Sequence, residues 1–178
     1  RIQQEKSDWV MLNRFHNQGV TKFDGDIKAD GHIYLVAPQG LAVNGKVDAQ
    51  QVIFSSLYMR DDQFDEGILS YARDYNGRLE PVFSNSWTYA LGPNQSGGMM
   101  TLLGINNPVP VTDDPNDPLR FKVTLGRDSV VTTGKLGKAM LFGPTVTNNG
   151  KINVSDEGQV ILAAGDNIYL RKGAINGQ

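Results

Sequence analysis

The chain has 178 residues, 17 Lys and Arg against 19 Asp and Glu, a formal charge of -2 and no cysteine. That length fits one domain able to bury its own core, and the absence of cysteine excludes disulfides and thiolate zinc sites. The near-neutral balance gives no field for holding nucleic acid or an anionic bilayer. Apolar runs such as Ile161 to Ala164 fall far short of the ~20 residues a membrane helix needs. Residues 1–12 lack a charged-then-apolar export pattern, so an export signal would lie outside this sequence.

Taken in chain order, the sequence repeats a unit of corner, short strand, turn and strand. Asp24-Gly25-Asp26-Ile27-Lys28-Ala29 leads to Ile33-Tyr34-Leu35, and Asn44-Gly45-Lys46-Val47-Asp48-Ala49 leads to Val52-Ile53-Phe54. A weak copy stands at Asn76-Gly77-Arg78-Leu79 and a shorter one at Gly134-Lys135-Leu136, before Met140-Leu141-Phe142. The last is Asn149-Gly150-Lys151-Ile152-Asn153-Val154, before Val160-Ile161-Leu162. Residues 61–127 break the rhythm with acidic and proline-bearing stretches. They read as an excursion from one domain of residues 1–178, with strand-like segments at Val82 to Leu91 and Leu119 to Leu125.

Asn-Gly and Asp-Gly favour positive φ, so Gly25, Gly45, Gly134 and Gly150 are expected to be structural corners of that kind. After each corner, alternation such as Ile27, Ala29 and Ile33, Leu35 buries every second side chain on one face. A hairpin meander would also use Asn-Gly turns. Several copies of one corner followed by one strand length instead favour stacked coils, an all-β parallel β-helix with a non-repeat β excursion in mid-chain.

The residues that could carry chemistry are few. His16 and His32 are the only imidazoles and form no metal-ligand pair. Asp24, Asp26 and Asp30, like Asp113, Asp114 and Asp117, lack the remaining features of a calcium loop. Ser55 and Ser56 lack a nucleophile elbow. Asp24 and Asp48 could meet across coils as a carboxylate pair, although turn carboxylates are usually solvated. Trp9 with Phe15, and Trp87 with Tyr89, read as covers for an open coil end rather than a binding platform. No catalytic residue, metal ligand or cofactor is expected, and the chain reads as a binder rather than an enzyme.

Met11-Leu12-Asn13-Arg14, followed by Phe23-Asp24-Gly25-Asp26-Ile27-Lys28-Ala29-Asp30-Gly31-His32-Ile33-Tyr34-Leu35-Val36-Ala37-Pro38-Gln39-Gly40, resembles the secretion domain of filamentous-haemagglutinin-like exoproteins of two-partner secretion. Gly143-Pro144-Thr145-Val146-Thr147-Asn148-Asn149-Gly150 and Gly158-Gln159-Val160-Ile161-Leu162-Ala163-Ala164-Gly165 are similar to that family's later coils. The resemblance covers about residues 8–60 and 133–172. The family turn appears as Ala37-Pro38-Gln39-Gly40, with both asparagines replaced, and the family's N-terminal cap and first motif are missing before Trp9.

The resemblance implies a right-handed β-helix that is N-terminally incomplete relative to the family. It further implies export through the periplasm to the surface of a Gram-negative bacterium, by an outer-membrane transporter whose periplasmic domains recognise this region. Leu12, Asn13 and Arg14, with Ala37, Pro38, Gln39 and Gly40, are the expected partner-binding residues, offering an extended strand for β-augmentation. A host or biofilm ligand would belong to the full-length exoprotein. The alternatives are a polysaccharide-active β-helix enzyme and a carbohydrate-binding adhesin module.

Overall fold

The computed structural model describes residues 2–16, 19–69, 79–85 and 117–170. Within them the chain winds as a parallel β-helix with three sheet faces. It visits the faces in turn with β1 (Val10–Arg14), β2 (Thr21–Phe23) and β3 (Ile27–Lys28), then β4 (His32–Val36), β5 (Leu41–Val43) and β6 (Lys46–Ala49), and returns to the first face with β7 (Gln51–Ser55). An excursion follows, holding α1 (Asp61–Glu66) and β8 (Phe83–Ser84). The coil resumes with β9 (Lys122–Leu125), β10 (Val130–Thr133) and β11 (Lys138–Gly143), then β12 (Thr145–Asn148), β13 (Lys151–Asn153) and β14 (Gln159–Ala164); β15 (Asn167–Ile168) comes last.

The first face stacks β1-β4-β7-β11-β14, the second β2-β5-β9-β12 and the third β3-β6-β10-β13. Thr21 pairs with Leu41 and Ile27 with Val47, so one coil takes about twenty residues. Leu41 then pairs with Val123, which shows the excursion leaving and re-entering between consecutive rungs. The segment Lys122–Leu125, which sequence alternation alone leaves in the excursion, is therefore a rung of the coil. Val123 and Leu125 point into the core and are fully buried. Of the other expected excursion strand, Phe83–Ser84 pairs antiparallel with β15 and residues 86–91 lie outside the described set. So do Asn76, Gly77 and Arg78 of the weak repeat, as well as Trp87, Tyr89, Asp113 and Asp114.

The corners need a correction. None of Gly25, Gly45, Gly134 and Gly150 has a positive φ; among the described glycines only Gly40, Gly67 and Gly165 do. Crowding is the actual reason for glycine. A Cβ on Gly45 would overlap the carbonyl oxygen of Gly25 one rung away, and one on Gly150 would overlap Ser129 Oγ. Gly25 lies on the first of these rungs, where a Cβ would meet only Phe23 Cζ at 4.0 Å. Stacking of coils, rather than the torsion of each turn, selects the residue.

The shorter repeat copy is also out of phase. Gly45 and Gly150 turn the chain from the second face to the third, whereas Gly134 turns it from the third to the first. The missing member of the series begins at Gly126, whose amide donates to Val43 O just as Asn44 donates to Phe23 O and Asn149 to Leu125 O. Leu136, read as a strand position, is an exposed turn residue with a φ of 59°.

Two apolar clusters hold the molecule together. Ile33, Leu35, Val52, Phe54, Ala139 and Leu141 of the first face point inward and meet Leu41, Val43, Val47, Val123, Leu125 and Val131 from the other faces. On the outer side of the first face, Tyr34, Val36, Ile53, Met140 and Phe142 are buried as well. Leu57, Met59, Ile68, Val82, Phe83 and Ile168 cover them, with the Phe83 and Phe142 rings 5.1 Å apart. Each such side chain removed from water contributes about 1.5–3 kcal/mol. The excursion is thus the second wall of a two-sided sheet. Arg60, buried beneath it, fixes that wall by donating to both Asp62 oxygens at 2.8 and 2.6 Å and pairing with Glu80 at 2.6 Å.

Candidate functional site

The residues expected to meet a partner fall on neighbouring rungs with opposite degrees of freedom. Leu12, Asn13 and Arg14 lie on β1, the edge strand of the first face, paired with Tyr34, Leu35 and Val36. His32 N–H donates to Trp9 O at 2.8 Å and Phe15 N–H donates to Val36 O at 2.9 Å. Because a parallel strand directs alternate residues to alternate sides, the main-chain groups of Met11 and Asn13 face β4 and those of Val10, Leu12 and Arg14 face outward. Among the described residues no strand pairs with that outward side. Leu12 packs on the outer apolar cluster, and Arg14 Nη1 pairs with Asp61 Oδ1 at the start of α1.

Ala37, Pro38, Gln39 and Gly40 form the turn that follows β4, beginning directly after the residue paired with Arg14. Ala37, Pro38 and Gly40 are buried. The main chain of this turn is already engaged by both neighbouring rungs. Ala37 N–H donates to Ser55 O at 2.8 Å, Thr21 N–H to Gly40 O at 2.9 Å, and Phe121 N–H to Gln39 O at 3.0 Å. Gly40 is where a corner does need positive φ, at 124°, and a Cβ there would also press on Leu119 O at 2.6 Å. The turn shapes the coil behind β1, and among the described residues β1 is the strand of this pair whose outward side stays unpaired.

The acidic positions serve the stack. Asp24 Oδ1 accepts from Asn44 Nδ2 at 2.6 Å, and Asp26 Oδ1 accepts from Lys46 N at 2.8 Å, each one rung on. Asp48 stands 3.7 Å from Lys28 Nζ. Asp24 at a corner and Asp48 within β6 thus have separate partners and do not form a pair. Ser55 Oγ and Ser56 Oγ donate to the carbonyls of Leu57 and Phe121. Among the described residues no group of three His, Asp or Glu is arranged to hold a metal, and no helix is long and apolar enough to cross a membrane.

A cleft that the sequence reading did not single out opens on the outer side of the first face. It has a volume of about 460 Å³ and lies between strands β4, β7 and β11 and the segment after α1. His32, Tyr34, Gln51, Lys138 and Met140 line it from the strands, and Glu66, Ile68 and Leu69 from the end of α1 and the segment after it. Gln51 Nε2 donates to Tyr34 Oη at 3.0 Å. Burial pushes the Tyr34 hydroxyl up to about 12, against the smaller opposing effect of that hydrogen bond. Burial also lowers the pKa of His32; Asp8 opposes the shift and Lys138 adds to it. The signal in the sequence was a polar residue at the same place in successive rungs, just before an apolar run: His32 before Ile33, Gln51 before Val52, Lys138 before Ala139.

The chain matches no family model, and comparison with curated proteins and with solved structures gives no match. The β-helix rests on the strand pairing itself.

Proposed function

We propose that this chain is the secretion domain of a haemagglutinin-like exported protein, recognised by the periplasmic domains of an outer-membrane transporter in two-partner secretion. The observation that carries the reading is the edge of β1, which pairs with no other strand among the described residues, bears the family-like Leu12-Asn13-Arg14 and turns the main-chain groups of Leu12 and Arg14 outward. An extended segment of the transporter would add to that edge by main-chain hydrogen bonds, with Leu12 and Arg14 supplying side-chain specificity. Each further coil then buries a fresh apolar layer on the last, which favours outward movement over backward sliding. Secretion and cell-surface location follow from this reading.

Leu12→Pro tests it. Proline removes an N–H that faces away from β4 and is tolerated on an edge strand, so the coil should still form. Titration of the purified chain with the periplasmic domains of a two-partner transporter should show binding that Leu12→Pro weakens at least about tenfold, the scale of one or two lost hydrogen bonds. Unchanged binding by a folded Leu12→Pro variant would overturn the reading.

A further inference from the structure

The cleft on the first face has a chemistry that β-augmentation does not use. His32 pairs in register with Gln51, and Lys138 follows on the next rung, one position before the Ala139–Val52 pair. These three side chains form a column along the helix axis, stepping by the inter-strand spacing of about 4.8 Å. Beside them, two residues along the same strands, Tyr34 and Met140 add apolar surface, and Glu66 of α1 also lines the cleft. The side chains of His32, Lys138 and Glu66 make no hydrogen bond or ion pair among the described residues. Gln51 uses its amide nitrogen on Tyr34, and its amide oxygen makes no hydrogen bond among the described residues.

The step of the column separates two kinds of linear ligand. An extended peptide places same-side groups every second residue, about 6.8 Å apart, and falls out of phase with the rungs. Head-to-tail pyranose rings advance by nearly the rung spacing and present a hydroxyl-bearing edge beside an apolar C–H face. Lys138, which makes no ion pair among the described residues, adds a preference for a carboxylate on the sugar. The volume of about 460 Å³ falls within the range of small-ligand sites.

We propose that the cleft binds a short acidic oligosaccharide of the uronate type. His32 and Gln51 would hydrogen-bond successive sugars, Lys138 would meet the carboxylate, Glu66 would accept a hydrogen bond from a hydroxyl, and Tyr34 and Met140 would carry the apolar ring face. The proposal is independent of the secretion reading, because Leu12→Pro alters the edge of β1 and leaves the cleft lining unchanged.

The test is calorimetric titration of the folded chain at low salt with trigalacturonate and, separately, with neutral maltotriose. The acidic sugar should bind on the order of tenfold more tightly, the scale of one charge-assisted hydrogen bond. Lys138→Met, at a partly exposed strand start, should keep its melting temperature and bring trigalacturonate down to the maltotriose level. Absence of binding to trigalacturonate, equal affinity for both sugars, or an unchanged affinity in Lys138→Met would each overturn the proposal.

Discussion

The outward side of the first face and the outward sides of the other two are built from the same parallel rungs and come to opposite ends. In β6 and β9 exposure alternates, with Lys46, Asp48, Lys122 and Thr124 outside and Val47, Ala49, Val123 and Leu125 inside. In β4 and β7 the alternation disappears, since Tyr34, Val36 and Ile53 are as buried as Ile33, Leu35 and Val52. The difference comes from the excursion. Leu57, Met59, Ile68, Val82 and Phe83 cover much of the outer side of one face only, so apolar side chains are buried on both sides of that sheet and on one side of the others. Parallel strands covered on both sides take near-continuous apolar runs, which is what His32–Val36 and Gln51–Ser55 approach.

The sharpest way to break this comparison is to place the same charge on equivalent outward positions. Ile53→Lys should cost at least about 3 kcal/mol, because the ammonium would be buried without a partner under the excursion. Thr124→Lys, on an uncovered outward side, should stay within about 0.5 kcal/mol. Urea unfolding of the two variants decides it. Similar losses would mean that the excursion does not seal the first face.

A smaller effect separates corners by their place in the stack. Gly45→Ala should cost about 1–3 kcal/mol through overpacking against the Gly25 carbonyl, whereas Gly25→Ala, with open space around it, should change stability by less than about 0.5 kcal/mol. Thermal melts of both variants would show equal shifts if turn torsion, rather than crowding, governed these corners.

The smallest expected effect belongs to His32. Its pKa is lower in the folded chain than the ordinary 6.5, so folding favours the neutral imidazole. The stability this contributes is complete above pH 6.5 and is lost as pH falls from there through the lowered value. His32→Gln should therefore flatten the decline of the urea midpoint between pH 7.5 and 5. An identical slope in both proteins would show that burial of this ring does not shape the acid limb.

The recurring corners and the period-two strands were enough to read a parallel β-helix, because Ile27 with Ala29 and Val47 with Ala49 show which side must be covered. The family resemblance, rather than the repeat, placed Leu12, Asn13 and Arg14 on a strand. Local pattern could not say that the outward side of this strand is unpaired among the described residues while Ala37 to Gly40 lie locked between rungs, since both facts depend on which segments pair. For the same reason Gly134 looked like Gly45 although it turns a different corner, and Lys122–Leu125 looked like excursion although it pairs with β5 and β12. The cleft was beyond reach for a further reason. His32, Gln51 and Lys138 become neighbours only when rungs separated by a whole coil, or by the entire excursion, come to rest one strand spacing apart. Sequence determined the unit and the side it buries; tertiary structure decided register, cover and edge, because those are contacts between units.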